Sequence, residues 1–233
     1  MVKQVTGLML GMAASGGLAA CGAEPAPVPE PSASISPDDP LPSITGPERR
    51  ILAFGDSLFA GYGLKEGESY PARLEIALRA RGINARVTNA GVSGDTTAAG
   101  LSRIDWSVPD GTRLVVLELG ANDMLRGLPP EQTRRNLDTM LKRLTDRGIA
   151  VVLAGMMAAP NLGPAYGTSY NAIFPDLAKK YNVPLVPFFL DGVVGVSGLQ
   201  IDDGIHPNPK GVDVMVQRSL PVIERAVRNL RRS

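Results

Sequence analysis

The sequence of 233 residues holds one cysteine, one histidine and one tryptophan, and only five per cent of it is aromatic. A single cysteine excludes any intramolecular disulfide. The shortage of aromatic rings argues against a base-stacking surface. Charge of one sign is also missing: 24 Lys plus Arg face 23 Asp plus Glu, for a formal net charge of +1. Without a basic surplus nothing drives binding to a phosphate backbone, so nucleic acid is not an expected partner. What the chain does contain is 44% apolar and 20% charged residues. That is the balance of an ordinary globular protein, with length enough for one domain and a sizeable core.

Long hydrophobic runs are scarce as well. The uncharged stretch from Val5 to Ala20 is too short to cross a bilayer with ordinary flanks. Behind the positive start Met1-Val2-Lys3 it suits a secretory signal. It ends in Leu18-Ala19-Ala20-Cys21, which resembles the bacterial lipobox. The resemblance implies cleavage before Cys21 and lipidation of its thiol, a task that gives a lone exported cysteine a purpose. From Gly22 to about Pro47 the composition turns to Pro, Ala, Ser and Glu, which cannot build a core and reads as an extended, semi-rigid tether. The expected organisation is a signal peptide over 1–20, a tether over 21–47 and a folded domain over 48–233. The expected product is an exported, periplasm-facing monomer anchored to a membrane through Cys21.

Within the folded part, short apolar runs alternate with amphipathic stretches. Ile51 to Phe54, the segment around Val87, Leu114 to Leu119, Ile149 to Leu153 and Pro184 to Val186 read as strands. Leu74, Ala77 and Leu78 mark one helix between Pro71 and Gly82, and Leu137, Met140, Leu141 and Leu144 mark another ending at Gly148. A third runs from about Ile173 to Tyr181. The C-terminal stripe from Val212 to Leu230 is helical, with a bend or break expected at Pro221. Strands apolar on both faces, separated by helices, imply a parallel sheet covered on two sides, hence one three-layer α/β/α domain.

In such sheets the polar residues that matter gather at the carboxyl ends of strands. Four such places stand out: Gly55-Asp56-Ser57-Leu58, Asn89 to Thr96, Glu118 to Asp123, and Asp202-Asp203-Gly204-Ile205-His206-Pro207. Each alone could be a turn or a helix cap. Together they hold the residue types acyl transfer needs. A serine hydroxyl is a poor nucleophile until a base takes its proton, and neutral imidazole does so near neutrality. The imidazole needs a carboxylate to fix its tautomer, and Asp203 lies three residues before His206 with Asp202 as a rival. The oxyanion needs donors, for which the Ser57 and Gly94 backbone N–H groups and the Asn122 side chain fit.

These four blocks, in this order, resemble the GDSL (SGNH) hydrolase family. The resemblance implies a flavodoxin-like five-stranded parallel sheet of order 2-1-3-4-5. It also implies Ser57 as nucleophile, Asp203 and His206 as its partners, Ser57, Gly94 and Asn122 as oxyanion donors, and no metal or organic cofactor. Gly61 to Leu64 and Asp123 to Pro130 are most similar to the branch of bacterial periplasmic arylesterases and acyl-CoA thioesterase/lysophospholipases. That branch implies small-molecule aryl esters, short-to-medium acyl esters and thioesters as substrates. An O-acetyl esterase of carbohydrates and a silent binding module are the alternative readings. Asp56 and Asp123 are expected to brace loops. Leu125, Leu128, Met156, Met157, Leu162 and Tyr166 are candidates for an apolar acyl trough.

Overall fold

Five runs of mainly aliphatic residues pair side by side in one parallel sheet: β1 (Arg49–Gly55), β2 (Ala85–Gly91), β3 (Leu114–Glu118), β4 (Ala150–Ala154) and β5 (Leu185–Val186). The computed structural model describes residues 44–230. The signal peptide, Cys21 and nearly all of the tether lie outside the described residues. The strand order β2-β1-β3-β4-β5 is the expected one. Every residue of β3 is buried, as is β1 from Ile51 onward, which is why these strands read as unbroken apolar runs. β2, at one edge, alternates with exposed positions, and its Val87 N–H is taken by Glu75 Oε2 at 2.6 Å. That contact closes part of an edge that could otherwise pair with another strand.

Helices α2 (Tyr70–Ala80) and α8 (Pro209–Arg228) pack together, and α3 (Thr97–Ser107), α5 (Pro130–Asp146) and α7 (Ile173–Tyr181) form a second group. Right-handed crossovers from β1 to β2 and from β2 back across to β3 place the two groups on opposite faces. Two shorter helices, α4 (Ala121–Leu125) and α6 (Pro164–Asn171), and the initial turn α1 (Ser57–Ala60) lie in the loops. α5 buries Thr133, Leu137, Met140, Leu141 and Leu144, the i, i+3, i+4, i+7 stripe visible in the sequence. α3 had no such signature, because it buries Thr97, Gly100, Arg103 and Ile104, of which only Ile104 is large and aliphatic.

Of the bend or break expected at Pro221, the break does not occur: α8 runs as one helix through it. Proline removes one N–H and leaves the carbonyl four residues earlier without its partner. Here that carbonyl belongs to Gln217, and Gln217 and Pro221 both lie on the exposed face, where water can satisfy the freed group. The buried stripe of Val212, Met215, Val216, Leu220, Ile223 and Val227 holds the helix together on its other side.

Candidate active site

The sheet switches direction between β1 and β3, and the loops that follow these strands meet there. β1 ends at Gly55, where a Cβ would come within 2.6 Å of both the Glu118 carbonyl and Glu118 Oε2, so only glycine allows this approach. Asp56 then caps α1, its Oδ1 accepting the Leu58 N–H at 3.0 Å. Ser57 becomes the first residue of that turn. Among the described residues its backbone N–H has no hydrogen-bond partner beyond the sheet and helix ladders.

The second arm is the loop before α8. It is stapled by the Ile201 N–H to the His206 carbonyl at 2.9 Å and the Asn208 N–H to the Leu199 carbonyl at 3.0 Å. Asp203 Oδ1 accepts the N–H groups of Ile205 and His206, each at 2.9 Å, and Oδ2 faces His206 Nδ1 at 2.5 Å. The imidazole and these two amides hold the Asp203 carboxyl down at about 2. A carboxylate opposite Nδ1 calls for the tautomer in which Nδ1–H donates and Nε2 accepts. Nε2 lies 2.9 Å from Ser57 Oγ, although the two residues are 149 positions apart. It is Asp203, and not its neighbour Asp202, that meets the ring.

Asn122, on α4, links the other two loops. Its amide nitrogen donates to Asp56 Oδ2 and to the Asp95 carbonyl, both at 3.0 Å. One bond thus reaches the residue before Ser57 and the other the residue after Gly94, so the three expected oxyanion donors converge. Both amide hydrogens are engaged here, and an oxyanion would have to share or displace one acceptor. Gly94, at φ +85°, has its carbonyl held by Arg126 Nη2 at 2.8 Å. Its N–H has no hydrogen-bond partner among the described residues.

A buried polar frame supports this arrangement. Arg103 Nε pairs with Asp95 Oδ2 at 2.7 Å, its Nη2 donates to the Gly55 carbonyl at 2.9 Å, and its guanidinium lies 4.0 Å above the Phe54 ring. Asp123 accepts the Thr97 N–H at 2.8 Å, the Thr97 hydroxyl at 2.5 Å and the Thr133 hydroxyl at 3.2 Å, so it ties α4 to α3 and α5. Asp56 and Asp123 therefore brace the loops as expected. Glu118 has no exposure; its Oε2 accepts the Asp56 N–H at 3.3 Å and Oε1 has no partner among the described residues. Burial first, and then the charge of Asp56, push the Glu118 carboxyl well up. Burial also raises Asp56, against which the Leu58 N–H and the Asn122 amide, both donating to its carboxylate, favour the charge.

Glu118→Gln tests the upward shift of Glu118. A raised folded pKa means the native protein holds the proton longer than the unfolded chain. Stability is therefore full below the unfolded value, near 4.5, and falls as pH rises through the folded one. Glutamine cannot ionise. The variant should gain stability relative to the wild type as the pH rises from 5 to 8. Urea unfolding at both pH values measures it, and an unchanged difference would count against a protonated Glu118.

The trough candidates divide. Leu125 is 56% exposed and Met157 48%, with Leu128, Leu162 and Tyr166 half-buried. Met156 is a correction: at 3% exposure it belongs to the core. The chain leaves β4 still extended, and alternation turns Met156 inward and Met157 out. Tyr166 donates to the Leu128 carbonyl at 3.0 Å and so ties the two loops. Two other concavities lie away from this place, beside the β2 edge and near Gly46, and neither contains Ser57, Asp203 or His206. Among the described residues no group of three or more His, Cys, Asp or Glu could hold a metal ion. Arg103 was not singled out from sequence; Tyr62, Arg126 and Glu118 lay inside the motif runs without a role of their own.

A serine hydroxyl bonded to an imidazole that is itself bonded to a carboxylate, at the carboxyl edge of a parallel sheet of order 2-1-3-4-5, defines a serine hydrolase. The chain belongs to the GDSL-like lipase/acylhydrolase family, whose profile matches residues 53–214. It is 40% identical to the arylesterase of Vibrio mimicus over 174 residues, 73% of this chain and 86% of the relative. It is 36% identical to thioesterase 1/protease 1/lysophospholipase L1 of Escherichia coli over 178 residues, 74% of this chain and 84% of the relative. The solved structure of AlinE4, an SGNH-hydrolase family esterase, is 52% identical and superposes with a TM-score of 0.67, covering 78% of this chain and 98% of that one.

Proposed function

We propose that the enzyme cleaves aryl esters, short-to-medium acyl esters and acyl thioesters through an acyl-enzyme on Ser57. Ser57 Oγ attacks the acyl carbon while its proton passes to His206 Nε2; Asp203 holds the ring and offsets its positive charge. The oxyanion forms against the N–H groups of Ser57 and Gly94 and the Asn122 amide. His206 then gives its proton to the departing oxygen or sulfur. A water, deprotonated by the same nitrogen, attacks the acyl carbon, and the acid leaves as Ser57 regains its proton. The observation that carries this reading is the unbroken chain from Ser57 Oγ through His206 to Asp203. The names of the arylesterase and thioesterase relatives support the substrate classes.

The test is an acyl-chain series on aryl esters, thioesters and lysophospholipids, run for wild type and Ser57→Ala. Turnover of p-nitrophenyl acetate to octanoate is expected, with decline for longer chains, on the reading that Leu125, Leu128 and Met157, none of them in the core, form a short apolar trough. A preference for palmitoyl over butyryl would overturn the trough size. We also propose export and lipid anchoring through Cys21, on the lipobox resemblance at Leu18 to Cys21. Cys21→Ser should move the protein from the membrane to the soluble fraction; unchanged membrane binding would sink the anchor.

A further inference from the structure

Tyr62 stands one turn beyond the nucleophile and is unused by the steps above. The N–H groups of Gly61 and Tyr62 both point to the Ser57 carbonyl, at 3.2 and 3.3 Å. The two flanking glycines adopt φ of +82° and +74°. A Cβ on Gly61 would meet Ser69 Cβ at 2.9 Å, and one on Gly63 would meet Ile201 Cδ1 at 2.8 Å. The turn thus lies close to the start of α2 and to the loop that carries His206. The Tyr62 ring packs against the imidazole: the ring centroids are 4.6 Å apart with the planes inclined at 39°. Yet 53% of Tyr62 stays exposed, and its hydroxyl has no hydrogen-bond partner among the described residues. A large apolar ring left open beside the proton donor is an unusual use of surface.

The chemistry of the site says what should lie there. Before bond cleavage the departing oxygen must come within about 2.6–3.2 Å of His206 Nε2, because that nitrogen protonates it. Whatever that oxygen carries is then brought alongside the imidazole. An aromatic group carried on that oxygen would lie beside the imidazole that Tyr62 packs against, and rings attract one another beyond simple area burial at centroid distances of roughly 4.5–7 Å. The acyl chain, by contrast, is attached to the carbonyl carbon, on the other side of the bond that breaks.

Resting on the ester-hydrolase reading, we propose that Tyr62 is the platform for the leaving group and gives this enzyme a preference for flat aromatic alcohols over saturated ones of equal size. Ile205, next to His206 in the chain and also exposed, offers no π face, so the discrimination resides in Tyr62.

The test compares benzyl butyrate with cyclohexylmethyl butyrate, which share one acyl chain and release primary alcohols of similar size. Tyr62→Leu should lower the benzyl-to-cyclohexylmethyl ratio of kcat/KM by about three- to tenfold, the scale of one aromatic contact. Tyr62→Phe should hold the ratio within about twofold of wild type, since the ring is retained. An unchanged ratio in Tyr62→Leu overturns the proposal. So does an equal fall for both esters accompanied by a shifted acid limb, which would mean that Tyr62 acts through His206. Hydrolysis of neither ester by the wild type would overturn the ester-hydrolase reading itself, and this proposal with it.

Discussion

Ser57→Ala should lower kcat on p-nitrophenyl butyrate by about 10⁵- to 10⁶-fold, the scale found when a serine hydrolase loses its nucleophile. Alanine leaves His206 and Asp203 bonded at 2.5 Å but gives the imidazole nothing to deprotonate. His206→Ala should fall almost as far, and the double variant hardly further. The two groups act as one device through the 2.9 Å contact between them, so their losses do not add. The donors converging near Asn122 remain, and a residual rate above water is expected from them. Steady-state kinetics on protein whose thermal unfolding matches wild type is the measurement. A fall of less than about a hundredfold would mean that another group carries the chemistry, since residual oxyanion stabilisation alone is worth only about 10³–10⁴ over water.

The second large effect is on stability. Arg103 and Asp95 form a buried ion pair, with side chains 8% and 11% exposed. Arg103→Met would strand the Asp95 carboxylate and take from the Gly55 carbonyl one of its two donors, leaving only the Val92 N–H. Breaking a buried pair from one side costs about 3–5 kcal/mol. For a domain of this size that lowers Tm by roughly 6–20 °C. Asp95 adjoins Gly94 and Gly55 closes β1, so this guanidinium, together with the Val92 N–H on the same carbonyl, fastens the Gly94 loop to the strand that precedes Ser57. Activity should therefore fall in the part of the population that stays folded. Arg103→Met combined with Asp95→Leu should recover much of the stability, because no unpaired charge remains. Thermal unfolding of both variants decides it; a single variant within about 1 kcal/mol of wild type would show the pair to be dispensable.

Much of the fold could be read in advance, and the reason is local. β1, β3 and β4 are buried on both faces, and their apolar runs betray them without knowledge of their neighbours. The stripes of α5 and α8 follow from a period set by the helix itself. Where local signal and packing disagreed, packing decided. α3 carries little apolar stripe and forms because its inner face meets the sheet and holds Arg103 there. Pro221 does not break its helix, because the freed carbonyl faces water while the opposite face is pinned in the core.

The site divides in the same way. By itself the sequence determined which residue types stand at the strand ends, and that Asp203 and His206, three apart on one loop, can meet. Only the tertiary structure decided that Ser57 lies beside that histidine across 149 positions, that Asn122 spends both amide hydrogens on Asp56 and Asp95, and that Met156 points into the core. It alone set Tyr62 against His206 and Glu118 behind Asp56. The cause is the range of the interactions: strand, stripe and cap depend on near neighbours along the chain, whereas burial, proton sharing and ring contacts depend on which distant loops the sheet order brings together.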